Sequence, residues 1–178
     1  MSRHRGLACA LPRGNALAAL AAVALVLAAQ ARAEEKEPAA VLEIGGAAEW
    51  SLNSGSSFGP VAAVEISPLK NWLVIEAGVT PLFSRAQTEW NTDIVFKKPF
   101  DLSPSVEFEP GIGPAWIHTV SGGRVTNSAA GVAVLDFMFW PSPARKFGWF
   151  LEPSYSYDFG KAHEQSLGVN LGLLIAVP

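Results

Sequence analysis

From residue 40 onward the chain alternates apolar and polar side chains with a period of two, in eight successive runs. A period of two is what a β-strand imposes when its two faces meet different surroundings. The run Ala40 to Leu52 shows it well: Leu42, Ile44, Ala48, Trp50 and Leu52 share one face, and Glu43, Gly45, Glu49 and Ser51 share the other. Further runs start near Pro60, Asn71, Gln87, Ser105, Ser128, Lys146 and Ser166. Each is about ten residues long, the length that a tilted membrane strand needs. No stretch after residue 34 has a helical period. The pattern predicts an all-β fold, an eight-stranded antiparallel up-and-down barrel over residues 40–178, with both termini at one end.

Turn chemistry marks the joints. Asn53 to Ser57 and Ser121-Gly122-Gly123 read as flexible loops, and Ser67-Pro68, Lys98-Pro99 and Pro141-Ser142-Pro143 as tighter turns. The loops at one end are expected at 53–58, 84–86, 119–127 and 160–164. Proline removes a ladder donor, and a closed barrel has no edge to hide it. Bulges or strand ends are therefore expected at Pro60, Pro81, Pro110, Pro114 and Pro153. A hairpin symmetric about Asp101 would pair Lys97 with Ser105 and Asp93 with Glu109. Two carboxylates so placed would share a proton or hold a cation.

Two barrels satisfy the alternation. A soluble one turns the apolar face inward around a ligand; a membrane one turns it outward to lipid. Three features favour lipid. The polar face is rich in Gly, Ala and Ser, as a narrow eight-stranded interior demands. Aromatic residues fall near strand ends, with Trp50, Phe83, Trp116, Tyr157 and Phe159 toward one rim and Phe96, Phe139, Phe147 and Trp149 toward the other. Such girdles form where rings meet headgroups. The middle of the apolar face is nearly free of charge. The inward face then carries Glu43, Glu49, Glu65, Glu76, Glu89, Asp93, Glu107, Glu109, Asp136, Glu152 and Asp158, joined only by Lys97 and Lys146. This acidic lumen reads either as a hydrated polar plug or as a cation-attracting interior.

The N-terminus reads as a cleaved signal peptide over residues 1–33. Arg3, Arg5 and Arg13 form its basic region, Ala16 to Ala29 its apolar region, and Ala31-Arg32-Ala33 its cleavage site. Residues 34–39 then form a short periplasmic tether. Cleavage removes Cys9, the single cysteine, and four arginines, leaving 9 basic and 16 acidic residues and a formal charge of −7. No basic run remains to bind nucleic acid, and disulfides play no part.

Signal, strand count, alternation and girdles together resemble the small eight-stranded outer-membrane β-barrel proteins of Gram-negative bacteria. The closing strand, Leu167 to Val177, looks typical of them. The resemblance implies an integral outer-membrane protein with a structural or envelope-maintenance role. Its partners would be outer-membrane lipid, lipopolysaccharide and the barrel-assembly machinery. Some barrels of this size deacylate lipid A with a Ser/His/acid set. The candidates here are His118 and Ser121, beside Thr119, with no acid nearby on the lipid face to orient the ring. The expectation is therefore a non-enzyme. His163 lies in a charged turn. Gly111 and Gly113 make room on a strand and do not form a phosphate loop. No cofactor motif and no metal-ligand spacing is visible.

Overall fold

The computed structural model describes residues 38–52, 55–160 and 163–178. The proposed signal peptide and most of the tether lie outside these residues. Nine strand segments follow one another: β1 (Ala40–Ser51), β2 (Gly55–Leu69), β3 (Leu73–Phe83), β4 (Gln87–Lys97), β5 (Phe100–Ser103), β6 (Val106–Ser121), β7 (Arg124–Phe139), β8 (Phe147–Asp158) and β9 (Gln165–Val177). Each pairs antiparallel with its neighbours, and β1 pairs with β9 from Ala40↔Val177 to Ser51↔Ser166. β4 pairs with β6, which closes the sheet. β5 is a short extension of β4 beyond Lys98-Pro99, so the wall is a closed barrel of eight antiparallel strands.

Several joints differ from their sequence expectations. Ser121-Gly122-Gly123 is no flexible loop. Ser121 pairs with Arg124, and both glycines have positive φ, +55° and +77°. That is the two-residue hairpin turn whose twist matches its strands, so pairing runs through most of 119–127. β2 likewise begins at Gly55, inside the expected loop. Ser67-Pro68 is a register shift within β2, and the chain turns later, at Lys70 to Trp72. The β5–β6 hairpin turns at Pro104-Ser105, not at Asp101. In consequence Lys97 faces Gly111 and Asp93 faces Ala115. The expected Asp93–Glu109 pair does not form.

The prolines neither bulge nor end the strands. Pro60 and Pro81 come opposite one another in the β2–β3 seam. Pairing lapses there and resumes in the same register, between Phe58↔Phe83 and Ala62↔Val79. It also lapses at Pro114 in the β4–β6 seam and at Pro153 in the β7–β8 seam, register again unchanged. Pro110 lies opposite the β4–β5 break, where its carbonyl accepts from the Lys98 amide. A missing donor removes a rung without moving the strands.

Alternate residues point into the barrel or away from it. Val61, Leu82, Met138, Phe150 and Leu174 are buried inside. Large apolar or aromatic side chains stay exposed on every strand, among them Ile44, Phe58, Ile94, Ile112, Trp149 and Leu171. The interior is tight where the first and last strands meet. Gly45 and Gly172 face each other there. A Cβ on Gly172 would lie 2.3 Å from the Ile44 carbonyl oxygen and 2.7 Å from Phe150 Cε1. Gly46, one residue on and facing out, has only one neighbour, at 3.9 Å. Gly172→Ala should therefore destabilise the barrel by about 1–3 kcal/mol through overpacking, and Gly46→Ala by much less. Urea unfolding of both variants in detergent micelles measures the contrast.

Candidate functional site: a buried lysine among lumenal carboxylates

Inside the barrel the acids are not evenly spread. Glu65 and Glu76 face each other across β2 and β3, and Glu109 faces Asp136 across β6 and β7. Glu152 lies opposite Asp136 on β8, at the point where Pro153 interrupts the seam. Like charges directly opposite on one face repel. These pairs close on a single cation. Lys97 of β4, 1% exposed, places its Nζ 2.8 Å from Glu65 Oε1, 2.9 Å from Asp136 Oδ2 and 3.2 Å from Glu152 Oε2, with Glu76 also in contact. The lysine thus ties walls contributed by β2 and β3 to walls contributed by β7 and β8. Gly111 makes this possible. A Cβ there would lie 2.7 Å from Lys97 Cγ, so the glycine is the groove in which the lysine stem rests.

Glu43 and Glu109 complete the buried set, at 2% and 3% exposure. Asn170 donates to Glu152 Oε1 at 2.8 Å. Six buried carboxylates therefore share the described interior with one ammonium group, and four of them contact it. Glu43 Oε1, Glu109 Oε2 and Asp136 Oδ1 are buried without a hydrogen-bond partner among the described residues. Buried carboxylate oxygens require a counter-charge, donors or a proton. Oxygens from Glu43, Glu65, Glu76 and Asp136 all lie within 4.8 Å of one another. Four strands deliver them, so no local spacing in the sequence could announce a cation-binding set.

The remaining acids lie outside this cluster, Asp93 at the middle of β4 and the others nearer the strand ends. Asp93 rests against Gly78. Glu49 accepts from Asn91, and Glu89 from Thr119, both at 3.5 Å. Asp158 accepts from Ser128 at 2.8 Å. At the opposite end Arg145 spans Glu107 at 2.8 Å and Asp101 at 3.1 Å. Sequence reasoning missed this arginine because it sits in a turn after Pro143. It also placed Lys146 on the inward face, whereas Lys146 is exposed just before β8 begins. A cavity of about 60 Å³ runs beside Glu43, Glu76 and Glu152 and reaches Glu49, Ile117 and Ser156. Those last three also line a smaller cavity at the mouth, together with Ser51, Gly55, Ser84 and Glu164. About 15 Å³ of such space holds one water, so the route from the mouth to the carboxylates can be hydrated.

On the outer face Trp50, Trp116, Trp149 and Phe159 are exposed, and Phe139 and Tyr157 are half-buried. Phe139 stacks on Trp149 with ring centres 3.8 Å apart, and Tyr157 meets Phe159 edge-on at 5.2 Å. Trp72, Trp90 and Phe100 are exposed as well. The hydroxyl and imidazole candidates are not assembled. His118 Nδ1 lies 2.7 Å from Asn127 Oδ1, Ser121 donates to the Ala86 carbonyl at 3.2 Å, and Thr119 points inward to Glu89. His163 sits 3.2 Å from the Tyr157 hydroxyl.

No family model matches the chain, and no curated protein matches it in sequence. Its fold has clear counterparts. Neisserial surface protein A is 13% identical over 78% of this chain and 97% of its own, with a TM-score of 0.63. Ail, the attachment invasion locus protein of Yersinia pestis, is 14% identical over 78% of this chain and 98% of its own, at 0.54. The N-terminal β-barrel domain of Pseudomonas aeruginosa OprF is 10% identical over 76% of this chain and 97% of its own, at 0.53. The chain has the fold of the small eight-stranded outer-membrane β-barrels.

Removing the central cation should expose what it offsets. Lys97→Met should cost about 3–5 kcal/mol, the range for breaking a buried ion pair from one side. Adding Asp136→Asn should recover part of that loss, giving a double-mutant cycle far from additive. Urea titration of the four proteins in micelles measures the coupling.

Proposed function

We propose that the protein is an integral outer-membrane β-barrel with a structural or envelope-maintenance role. The observation that carries this reading is the inverted distribution of side chains. Among the described residues seven charged ones, Lys97 among them, are buried inside. Outside, exposed leucine, isoleucine, phenylalanine and tryptophan continue around the wall. A soluble protein seldom exposes so continuous an apolar surface. A hydrocarbon layer accepts it, and closure satisfies the strand edges that lipid cannot. A soluble ligand-binding barrel needs the reverse arrangement, with the apolar face around its ligand. The likeness to barrels from outer membranes supports the same placement. Lipid and lipopolysaccharide are then the partners of the apolar wall, and the barrel-assembly machinery the route of insertion.

The interior speaks for a plug and not for a wide pore. Eight strands leave little room beyond their side chains, and here Lys97, Phe150, Leu82 and Met138 fill most of it. The reading is non-catalytic, because His118 and Ser121 engage other partners. Mass spectrometry of lipid A from cells with and without the protein checks this: a change in acylation would favour a lipid A-modifying enzyme.

Fractionation with gel migration before and after boiling tests the placement. Recovery in the outer-membrane fraction, with migration that shifts on heating, is expected. Recovery as a detergent-free periplasmic protein would overturn it. Leu171 is exposed at the middle of β9, so Leu171→Arg should cost about 2–4 kcal/mol at the bilayer midplane. Equilibrium unfolding in lipid vesicles measures that cost.

A further inference from the structure

We propose that the outer face carries a site for one anionic glycerophospholipid, its phosphate on Lys98 and its acyl chains in the groove beside it. This rests on the outer-membrane placement above, with the terminus end of the barrel in the periplasmic leaflet. The wall is not smooth there. Pro110 and Ala133 are small outward residues set among Trp72, Phe96, Ile112 and Leu135, which are large and exposed. The step between them leaves an open apolar groove of about 530 Å³ across β3, β4, β6 and β7. That is the scale of a small-molecule site, about 300–1,000 Å³. A second apolar groove, of about 400 Å³, starts at Ile94, the next outward residue of β4 after Phe96, and includes the small Ala62 and Ala77. The depression thus continues from the rim toward the middle of the wall.

An apolar groove alone takes any acyl chain; the charge at its head selects among them. Lys98 lines the groove at the terminus end, just beyond the last residue of β4. Its ammonium group donates to the Asn71 carbonyl and lies 5.6 Å from the centre of the Phe100 ring. Both contacts position a cation without neutralising it. Among the described residues no carboxylate pairs with Lys98. The acids of the adjoining hairpin, Asp101 and Glu107, are taken by Arg145. An ammonium group has three donors, so the Asn71 carbonyl leaves two for phosphate oxygens. Trp72 and Phe100 stand beside it as exposed rings, the residue type that sits at headgroup depth. A cation at the rim and an apolar trough leading inward repeat the order of parts in a lipid molecule. Lipopolysaccharide also joins phosphate to acyl chains, but it occupies the opposite leaflet. The occupant that fits this end is therefore a phospholipid with net negative charge.

Native mass spectrometry of the barrel in neutral detergent micelles, titrated with phosphatidylglycerol or with phosphatidylcholine of the same chains, tests the site. One phosphatidylglycerol per barrel should be retained, at least fivefold more readily than phosphatidylcholine. Lys98→Gln should abolish that preference. Lys146→Gln, at another exposed lysine of the same end, should leave it intact. Ala133→Trp, which fills the groove, should weaken retention of both lipids at least fivefold. Equal retention of the two lipids by the unaltered barrel would overturn the proposal. So would a preference that survives Lys98→Gln, or one lost equally in Lys146→Gln, which would mark general surface charge. Displacement of phosphatidylglycerol by an equal amount of lipid A would assign the groove to the other lipid and also overturn it. Gel migration before and after boiling verifies that each variant is folded. If Ala133→Trp does not fold, lipids brominated along their chains decide. In vesicles, brominated phosphatidylglycerol should quench tryptophan fluorescence more than brominated phosphatidylcholine, and the difference should vanish in Trp72→Phe. A difference that persists in Trp72→Phe overturns the site. A barrel found in the outer membrane without headgroup preference overturns this site alone, whereas a soluble periplasmic protein overturns the placement beneath it.

Discussion

A side chain on a closed eight-stranded wall has two destinations, a narrow interior or the exterior, and the choice alternates along each regular strand. The rest of the structure follows from this. Polar groups sent inward cannot reach bulk water easily and must satisfy one another. Apolar groups sent outward cannot bury themselves within the chain and must find an apolar surrounding. A shift of one residue in any seam would exchange the two populations. The hydrogen-bonded register is therefore also the device that sorts charge from hydrocarbon.

The interior shows how that sorting is made tolerable. Facing carboxylates such as Glu65 and Glu76 would repel across their seam if left alone. Lys97 turns them into shared partners and does the same for Asp136 and Glu152 on the far side. An ion cluster of this kind adds little net stability over a well-packed apolar core. It is tied to one register, because the lysine reaches four acids only when β2, β3, β4, β7 and β8 all hold their native pairing. Gly111 takes part through its lack of a side chain, and Asn170 by holding Glu152 in place.

Much of this was legible from residue types alone. Period two gave the strands, and the apolar partners of Glu43, Glu76 and Glu152 showed which face each acid shares. Small residues at Gly45, Gly78 and Gly172 marked the crowded side. Juxtaposition across seams was not legible. It depends on where each hairpin turns. Pro104-Ser105 turns the chain later than a loop centred on Asp101, which puts Gly111 opposite Lys97 in place of Ser105. The prolines misled for a related reason. A missing donor argues locally for a break, but intact pairing on either side of Pro60, Pro114 and Pro153 holds the strand in line. Arg145 was invisible because turns carry no period.

Those prolines have a mechanical meaning. The interrupted rungs fall in three seams, β2–β3, β4–β6 and β7–β8, while β1–β2, β3–β4, β6–β7, β8–β9 and β9–β1 are continuous. The wall is accordingly a four-stranded panel, β8-β9-β1-β2, and two two-stranded panels, β3-β4 and β6-β7. Three lines of reduced stiffness join them. Deformation under lateral pressure concentrates where bonds are fewest, so the cross-section flexes at these hinges while the panels keep their curvature. Lys97 projects from one two-stranded panel and grips acids on all three, a tie-rod across the hinges.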